Sequence, residues 1–195
     1  KTSNISSEKL DEKIIKLIKI FNNGNYETFN LFSNEIEVIA KNHPTYNFVS
    51  GMYKNIKNLY QEAIPFFEKS IKLGGGFSDC YYNLAKSYHN LKNYEQALEN
   101  YNLALDLSPH NVGILFDLAA CFFAKCDFDN SIFQLEKIVR LDATNPQVYS
   151  DLGLVYKEKK DLQKSLNYFL HSLTLNPKNI NVLNHIAVIY SENNN

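Results

Sequence analysis

The chain has 195 residues, 45% of them hydrophobic, which is enough to bury a core in one domain or in an elongated array. Lysine and arginine total 20 against 21 aspartates and glutamates, and this balance of −1 without a basic cluster argues against a nucleic-acid partner. Lysines interrupt apolar stretches such as residues 14–21, so no segment approaches the roughly 20 apolar residues of a membrane span. We therefore expect a soluble chain.

The cysteines give an expectation about location. Cys80, Cys121 and Cys126 cannot all pair with one another and show no C-x-x-C spacing, which favours buried free thiols in a reducing compartment such as the cytoplasm. The chain begins at Lys1 rather than at a methionine, so we expect a processed or excised segment.

Hydrophobic periodicity and turn residues predict helices throughout the chain. Asn145-Pro146 is typical of a helix start, and Asp127 and Asp161 mark turns inside helix pairs. The predicted helices, five pairs and a final single helix, cover residues 8–22, 25–41, 44–57, 60–73, 78–91, 94–107, 112–125, 128–141, 146–159, 162–175 and 180–193.

The sequence repeats itself with a period of 34 residues. With Ser78 as position 1, positions 4, 7, 8 and 11 are Tyr81, Leu84, Ala85 and Tyr88, and positions 20, 24, 27 and 32 are Ala97, Tyr101, Ala104 and Pro109. The copy that starts at Pro146 follows the same pattern closely. This pattern resembles the tetratricopeptide repeat (TPR).

The resemblance implies an all-α fold, a right-handed superhelical solenoid of TPR helix-turn-helix repeats. We predict a single TPR solenoid domain over residues 1–195, with repeats at about 10–43 (degenerate), 44–77, 78–111, 112–145 and 146–179 and a final capping helix at 180–193. Each helix pair is too small to bury its own apolar face, so neighbouring pairs must stack. Small residues at positions 8 and 20 allow the two helices of a pair to approach closely.

No group of residues points to catalysis. The five histidines fall at unrelated repeat positions, with no pair at the i, i+4 spacing of metal ligands. Gly74-Gly75-Gly76 lacks the lysine and serine of a phosphate-binding loop, and a turn between repeats explains it better. We predict no enzyme activity, no catalytic residue, no cofactor and no metal.

In TPR proteins, positions 2, 5, 6, 9, 12 and 13 of each first helix line the concave surface where partners bind. Several of these positions carry apolar residues that the stacking pattern does not need, and such a strip marks an interaction surface. The alternative is that these side chains touch across repeats or that residues 1–9 fold over them. The predicted partner-binding groove consists of Phe48, Met52, Asp79, Tyr82, Asn83, Lys86, His89, Phe116, Asp117, Phe123, Asp151 and Leu154.

The charge of this face favours one kind of partner. Acidic or amide residues recur at position 6 as Asn83, Asp117 and Asp151, with Asp79 nearby, and they favour lysine, arginine or backbone amides on a partner. The clamp with which some TPR adaptors hold the C-terminal carboxylates of heat-shock chaperones is matched here only at Asn83.

We therefore predict a non-catalytic protein–protein interaction scaffold or adaptor that binds a peptide or helical segment with apolar anchors and basic residues. Two alternatives remain open. The chain could be a structural self-associating module, including a homodimer, or a subunit of a multiprotein complex. It could also be the regulatory TPR segment of a larger enzyme.

Overall fold

The computed structural model describes residues 7–193, and every regular element in that range is an α-helix. The chain divides into two compact units, the first ending at Leu107 and the second beginning at Ser108. The first unit contains α1 (Ser7–Asn22), α2 (Tyr26–Ala40), α3 (Pro44–Ile56), α4 (Tyr60–Lys72), α5 (Ser78–Asn90) and α6 (Tyr94–Leu107). The second contains α7 (Val112–Ala124), α8 (Phe128–Leu141), α9 (Pro146–Glu158), α10 (Leu162–Leu175) and α11 (Ile180–Asn193).

The predicted helices are confirmed, and each observed end lies within one residue of the predicted one. Consecutive helices pack as antiparallel pairs, α1 with α2 through α9 with α10, and α11 packs on α10. In the first unit, the first helices of successive pairs also contact one another. The prediction of one domain over residues 1–195 goes beyond this description of two units and stays a prediction.

The turn inside every helix pair contains one residue with a left-handed backbone. These residues lie 34 apart along the chain, at Gly24 (φ 70°), Asn58 (59°), Lys92 (61°), Cys126 (61°) and Lys160 (64°). Four of them are not glycine, although this conformation strains a residue that has a Cβ atom. The first pair, which is degenerate in sequence, therefore shares the register of the others.

This left-handed residue lets the chain reverse direction. It also allows a backbone N–H after the turn to donate a hydrogen bond to a carbonyl at the C-terminus of the first helix. In the third pair, the backbone N–H of Asn93 donates to the carbonyl of Tyr88 at 2.9 Å. In the fifth pair, the N–H of Asp161 donates to the carbonyl of Tyr156 at 3.0 Å. These bonds occupy carbonyls that would otherwise lack a partner at a helix C-terminus.

The helices of a pair approach closely where the first helix has a small residue. A Cβ atom added to Gly51 would lie 2.8 Å from the Phe67 ring, and one added to Gly153 would lie 2.6 Å from the Phe169 ring. Both rings are fully buried, so neither has room to move away. The sequence prediction that small residues permit this approach is confirmed.

Serine takes the place of alanine on the second helix in two pairs. The hydroxyl of Ser131 donates to the carbonyl of Ala119 at 2.9 Å, and that of Ser165 donates to the carbonyl of Gly153 at 2.7 Å. Both serines are buried, and each hydroxyl uses a carbonyl of the facing helix as its partner. The hydrogen bond thus offsets the cost of burying a hydroxyl at the closest point of the pair.

One prediction about the cysteines is wrong. Cys80 and Cys121 are buried free thiols, as expected, and burial raises the pKa of the Cys80 thiol to about 11. Cys126 is free but exposed, because α7 ends at Ala124 and the left-handed turn carries Cys126 out of the helix. It is therefore not a core residue.

The left-handed turn gives a stability prediction. Lys92→Gly should raise the melting temperature by about 2–4 °C, because glycine removes roughly 1 kcal/mol of left-handed strain in a chain of this size. Lys41 is a matched control, since it is also exposed but has a right-handed backbone with φ −55°. Lys41→Gly should lower the melting temperature by a similar amount. Thermal unfolding followed by circular dichroism measures both, and a fall in both variants would contradict the argument.

Candidate partner-binding site

The first unit contains a concavity of about 540 Å³ between α3 and α5, which we call the unit-1 cavity. Five of the predicted groove residues line it: Phe48 and Met52 from α3, and Asp79, Tyr82 and Asn83 from α5. The structure therefore brings together residues that are about one repeat apart in sequence. Ile18, Phe21, Asn22, Thr45, Val49 and Phe77 complete the lining.

Phe48 and Met52 serve the core as well as the cavity. The Phe48 ring lies 6.2 Å from the ring of Phe67 and 4.7 Å from that of Phe77, measured between centroids. Both Phe48 and Met52 pack against the buried clusters on either side of them and remain partly exposed. The alternative that these side chains touch across repeats is thus correct for one face of each, while the other face lines the cavity.

Sequence reasoning missed Phe77. This side chain is 41% exposed, lines the unit-1 cavity and stands at the N-cap of α5 without making a capping hydrogen bond. At the equivalent place in later repeats, the side chains of Asn111 and Asn145 do cap their helices. An aromatic residue where the later repeats have an asparagine cap was the available signal, because phenylalanine cannot form a capping hydrogen bond worth roughly 1 kcal/mol.

Two predicted residues of the first unit face partners within the chain instead. The Lys86 ammonium lies 5.2 Å from the centroid of the Tyr82 ring, and His89 Nδ1 lies 3.3 Å from the Tyr101 hydroxyl oxygen. Neither is among the residues that line the unit-1 cavity. The amide of Asn83, which does line it, donates to the carbonyl of Asp79 at 2.8 Å.

The second unit contains a smaller concavity of about 210 Å³, the unit-2 cavity. Four predicted residues line it: Phe116 and Phe123 from α7, and Asp151 and Leu154 from α9. Asp117, the remaining predicted residue of this unit, is not part of the lining. The other lining residues are Ala119, Ala120, Ser131, Leu135 and Val155.

Asp151 is the one charged residue that lines the unit-2 cavity. Its Oδ1 accepts a hydrogen bond from Gln147 Nε2 at 2.6 Å. Burial raises the pKa of the Asp151 carboxyl from 3.8 to about 6, and the bond from Gln147 offsets part of that rise. The carboxylate is therefore held in an environment that disfavours its charge.

A third concavity of about 290 Å³ adjoins α9 and α11 and was not predicted. Its lining is polar, with Gln147, Ser150, Leu154, Asn179, Asn181, Asn184 and His185. Burial lowers the pKa of His185, and the positive charge of Lys157 lowers it further. The cluster of asparagines after Pro177 was the signal for this surface in the sequence.

Two further properties of the described residues bear on the predicted function. Within residues 7–193, no group of three or more His, Cys, Asp or Glu side chains is placed to hold a metal ion. Among the helices of that range, none is both long and apolar enough to cross a membrane. Residues 1–6 lie outside the described part of the chain. The alternative that residues 1–9 fold over the groove therefore concerns mostly residues that the structure does not describe.

Two segments of the chain, residues 78–111 and 146–179, match family models described as the tetratricopeptide repeat. These two segments are tetratricopeptide repeats. Both matches coincide with predicted TPR repeats, so the identification made from the 34-residue pattern is confirmed.

Curated relatives of this TPR chain are similar over part of their length. Anaphase-promoting complex subunit 3 of Dictyostelium discoideum is 28% identical over 104 residues, which are 53% of this chain and 11% of that protein. The BBSome complex member BBS4 of Bos taurus is 27% identical over 132 residues, which are 68% of this chain and 24% of that protein. The chain thus spans less than a quarter of either relative.

Solved structures share its fold. YrrB, described as a TPR protein with an unusual peptide-binding site, has a TM-score of 0.80 at 19% identity, covering 89% of each chain. MamA from Desulfovibrio magneticus RS-1 has a TM-score of 0.80 at 19% identity, covering 90% of this chain and 99% of its own. The predicted all-α TPR solenoid class is therefore confirmed, and the two TPR repeats support a protein-interaction scaffold.

The raised pKa of Asp151 gives a prediction about pH. A carboxyl whose pKa is about 6 in the folded chain and near 3.8 in the unfolded chain makes the fold less stable as pH rises between those values. Asp151→Asn removes the charge and keeps an acceptor for Gln147. At pH 7.5 the variant should therefore be more stable by up to about 3 kcal/mol.

The advantage of Asp151→Asn should shrink towards pH 4, where Asp151 is protonated in the folded wild type. Urea unfolding at both pH values measures this, because all other carboxyls are common to the two proteins. An equal difference in stability at pH 4 and pH 7.5 would show that Asp151 does not titrate as stated.

Proposed function

We propose that this TPR scaffold binds an extended or helical segment of a protein partner, with side chains of that segment seated in the unit-1 and unit-2 cavities. The observation that carries the proposal is the make-up of the cavities. In each unit, side chains from the first helices of successive repeats meet around a concavity, and several of them are large, apolar and partly exposed.

The chemistry of the linings suggests the composition of the partner. Each cavity combines apolar walls with a carboxylate, Asp79 in the first unit and Asp151 in the second. Apolar anchors next to basic residues complement such walls. Burying two anchors contributes about 3–6 kcal/mol before the entropic cost of association, so we expect a weak, exchangeable complex.

We propose a non-catalytic role for the same reason. General acid–base and nucleophilic catalysis need groups that converge on one reacting atom. The linings of these cavities offer one carboxylate each, surrounded mainly by apolar side chains. A cytoplasmic location belongs to the same proposal and is supported by the free thiols Cys80, Cys121 and Cys126.

The relatives give the proposal its context. The names of two relatives describe members of multiprotein complexes, and the description of YrrB includes a peptide-binding site. By analogy, we propose that this chain recruits its partner segment within a larger assembly, either as a separate subunit or as one part of a longer protein.

Phe77 allows binding to be tested without loss of the fold. Phe77→Asn removes an aromatic wall of the unit-1 cavity. The variant loses the ring contact with Phe48, worth roughly 0.5–1.5 kcal/mol, and gains a helix cap worth about 1 kcal/mol. The apolar surface that Phe77 buries contributes about 1–2 kcal/mol more, so we expect a modest net loss of stability, and thermal unfolding checks that the variant is folded in the assay. Binding of a fluorescein-labelled heptapeptide pool built from Leu, Phe, Arg, Lys and Ser should weaken about tenfold, as measured by fluorescence polarisation.

The matched control is Phe133→Asn, which changes an aromatic side chain that is 49% exposed on α8 and is absent from the linings of all three concavities. It should leave peptide binding unchanged. Phe116→Ala tests the unit-2 cavity in the same assay. If neither Phe77→Asn nor Phe116→Ala changes the affinity, the cavities are not the binding site.

Self-association is a second candidate, which the surface of α11 favours. Ile180 is 71% exposed, Leu183 46% and Tyr190 51%, so this helix presents large apolar side chains to solvent. If α11 pairs two copies, light scattering at two protein concentrations should give the mass of a dimer at both, and Leu183→Glu should reduce it to that of a monomer. A monomer mass at both concentrations would exclude a stable dimer.

A further inference from the structure

The unit-2 cavity has the size of a single side chain. Its volume of about 210 Å³ is below the range of roughly 300–1,000 Å³ that is usual for small-molecule and cofactor sites. It lies between α7 and α9, at positions that face the concave side of the repeats in the TPR pattern. A side chain of a bound segment is therefore a better match for its volume than a free metabolite.

One polar side chain of the unit-2 cavity, the carboxylate of Asp151, is available to an occupant. Ser131 is the other polar side chain in the lining, and its hydroxyl already donates to the carbonyl of Ala119. Phe116, Phe123 and Leu154 supply apolar walls. An occupant therefore meets a hydrocarbon surface and a single negative charge.

That charge has no cationic partner inside the described part of the chain. Gln147 is the side chain that bonds to Asp151, and no lysine or arginine among residues 7–193 forms an ion pair with it. A carboxylate that is partly removed from water and lacks a cation destabilises the fold, and the raised pKa of Asp151 agrees with this cost. A cation from outside the chain would remove the cost.

The walls of the cavity favour arginine over lysine as that cation. A guanidinium is planar and weakly hydrated, and it stacks on aromatic rings, whereas an ammonium is compact and strongly hydrated. Two aromatic rings, those of Phe116 and Phe123, line the cavity together with Asp151. An arginine also has an aliphatic stem that can lie along Leu154 while its head group reaches a carboxylate.

We propose that the unit-2 cavity accepts the side chain of an arginine in the partner segment, with the guanidinium against Asp151 and the stem between Phe116, Phe123 and Leu154. This assignment rests on the proposed function and specifies one contact of it. The arginine supplies the cation that Asp151 lacks, so binding of the partner also stabilises the partly buried carboxylate.

The test compares peptides that differ in one residue. The full 195-residue chain is titrated with four pools of labelled, acetylated and amidated heptapeptides, each with a fixed central residue: arginine, lysine, citrulline or norleucine. The other six positions are mixed from Ala, Leu, Phe and Ser. Citrulline keeps the shape of arginine without its charge, and norleucine keeps only an apolar stem.

We expect the arginine pool to bind at least about tenfold more tightly than the citrulline and norleucine pools, and more tightly than the lysine pool. Asp151→Asn should abolish the preference for arginine over citrulline. Asp129→Asn is the matched control, because it makes the same change at an exposed position on α8 and should keep the preference. Circular dichroism checks that both variants fold.

The outcomes separate this assignment from the proposed function. Equal binding of the arginine, citrulline and norleucine pools would overturn the arginine contact while leaving peptide binding intact. A preference that survives in Asp151→Asn would place the arginine elsewhere and also overturn the assignment, and equal binding of the lysine pool would overturn the choice of arginine. Failure of every pool to bind would contradict the proposed function itself.

Discussion

The helix pairs depend on one close contact, where a small residue of the first helix meets the second helix. At Gly51 and Gly153 the facing ring occupies the space that a Cβ atom would need. Because successive residues turn about 100° around a helix, this contact fixes where every other side chain points. Positions 4, 7 and 11 fall to one side of it, and positions 5, 9 and 12 fall about 40–100° to the other side. The predicted cavity residues at positions 5, 9 and 12, among them Phe48, Met52, Phe116 and Phe123, are residues that the pairing contact turns outward.

Most of the fold could be predicted from the sequence because its determinants are local and repeated. Small residues, turn residues and the 34-residue period all act within one helix pair, so each copy gave an independent indication of the same element.

Cys126 shows the limit of this approach. Helical periodicity continues to about residue 125, and only the left-handed turn that the pair needs moves Cys126 into solvent. The polar cavity at Asn179 to His185 escaped prediction because it forms only after α9 and α11 are brought together.

The candidate site could be predicted by position but not by side-chain conformation. The inner-face positions, which the TPR resemblance implies, include Phe48, Tyr82, Phe116 and Asp151, and all four residues line a cavity. They did not indicate that Lys86 would lie against the Tyr82 ring, because such a contact depends on rotamers chosen among several neighbours. Phe77 was missed for a different reason, because it lies outside the helix whose periodicity carried the prediction.

The exposed turn at Cys126 has a practical consequence. The other two cysteines are fully buried, and the elevated pKa of Cys80 further suppresses its thiolate. A maleimide dye should therefore attach at Cys126 in the unmodified chain. The backbone N–H of Cys126 donates to the carbonyl of Phe123, whose ring lines the unit-2 cavity. A dye on Cys126 would therefore lie a few residues from the unit-2 cavity, where its fluorescence could report the binding of a ligand.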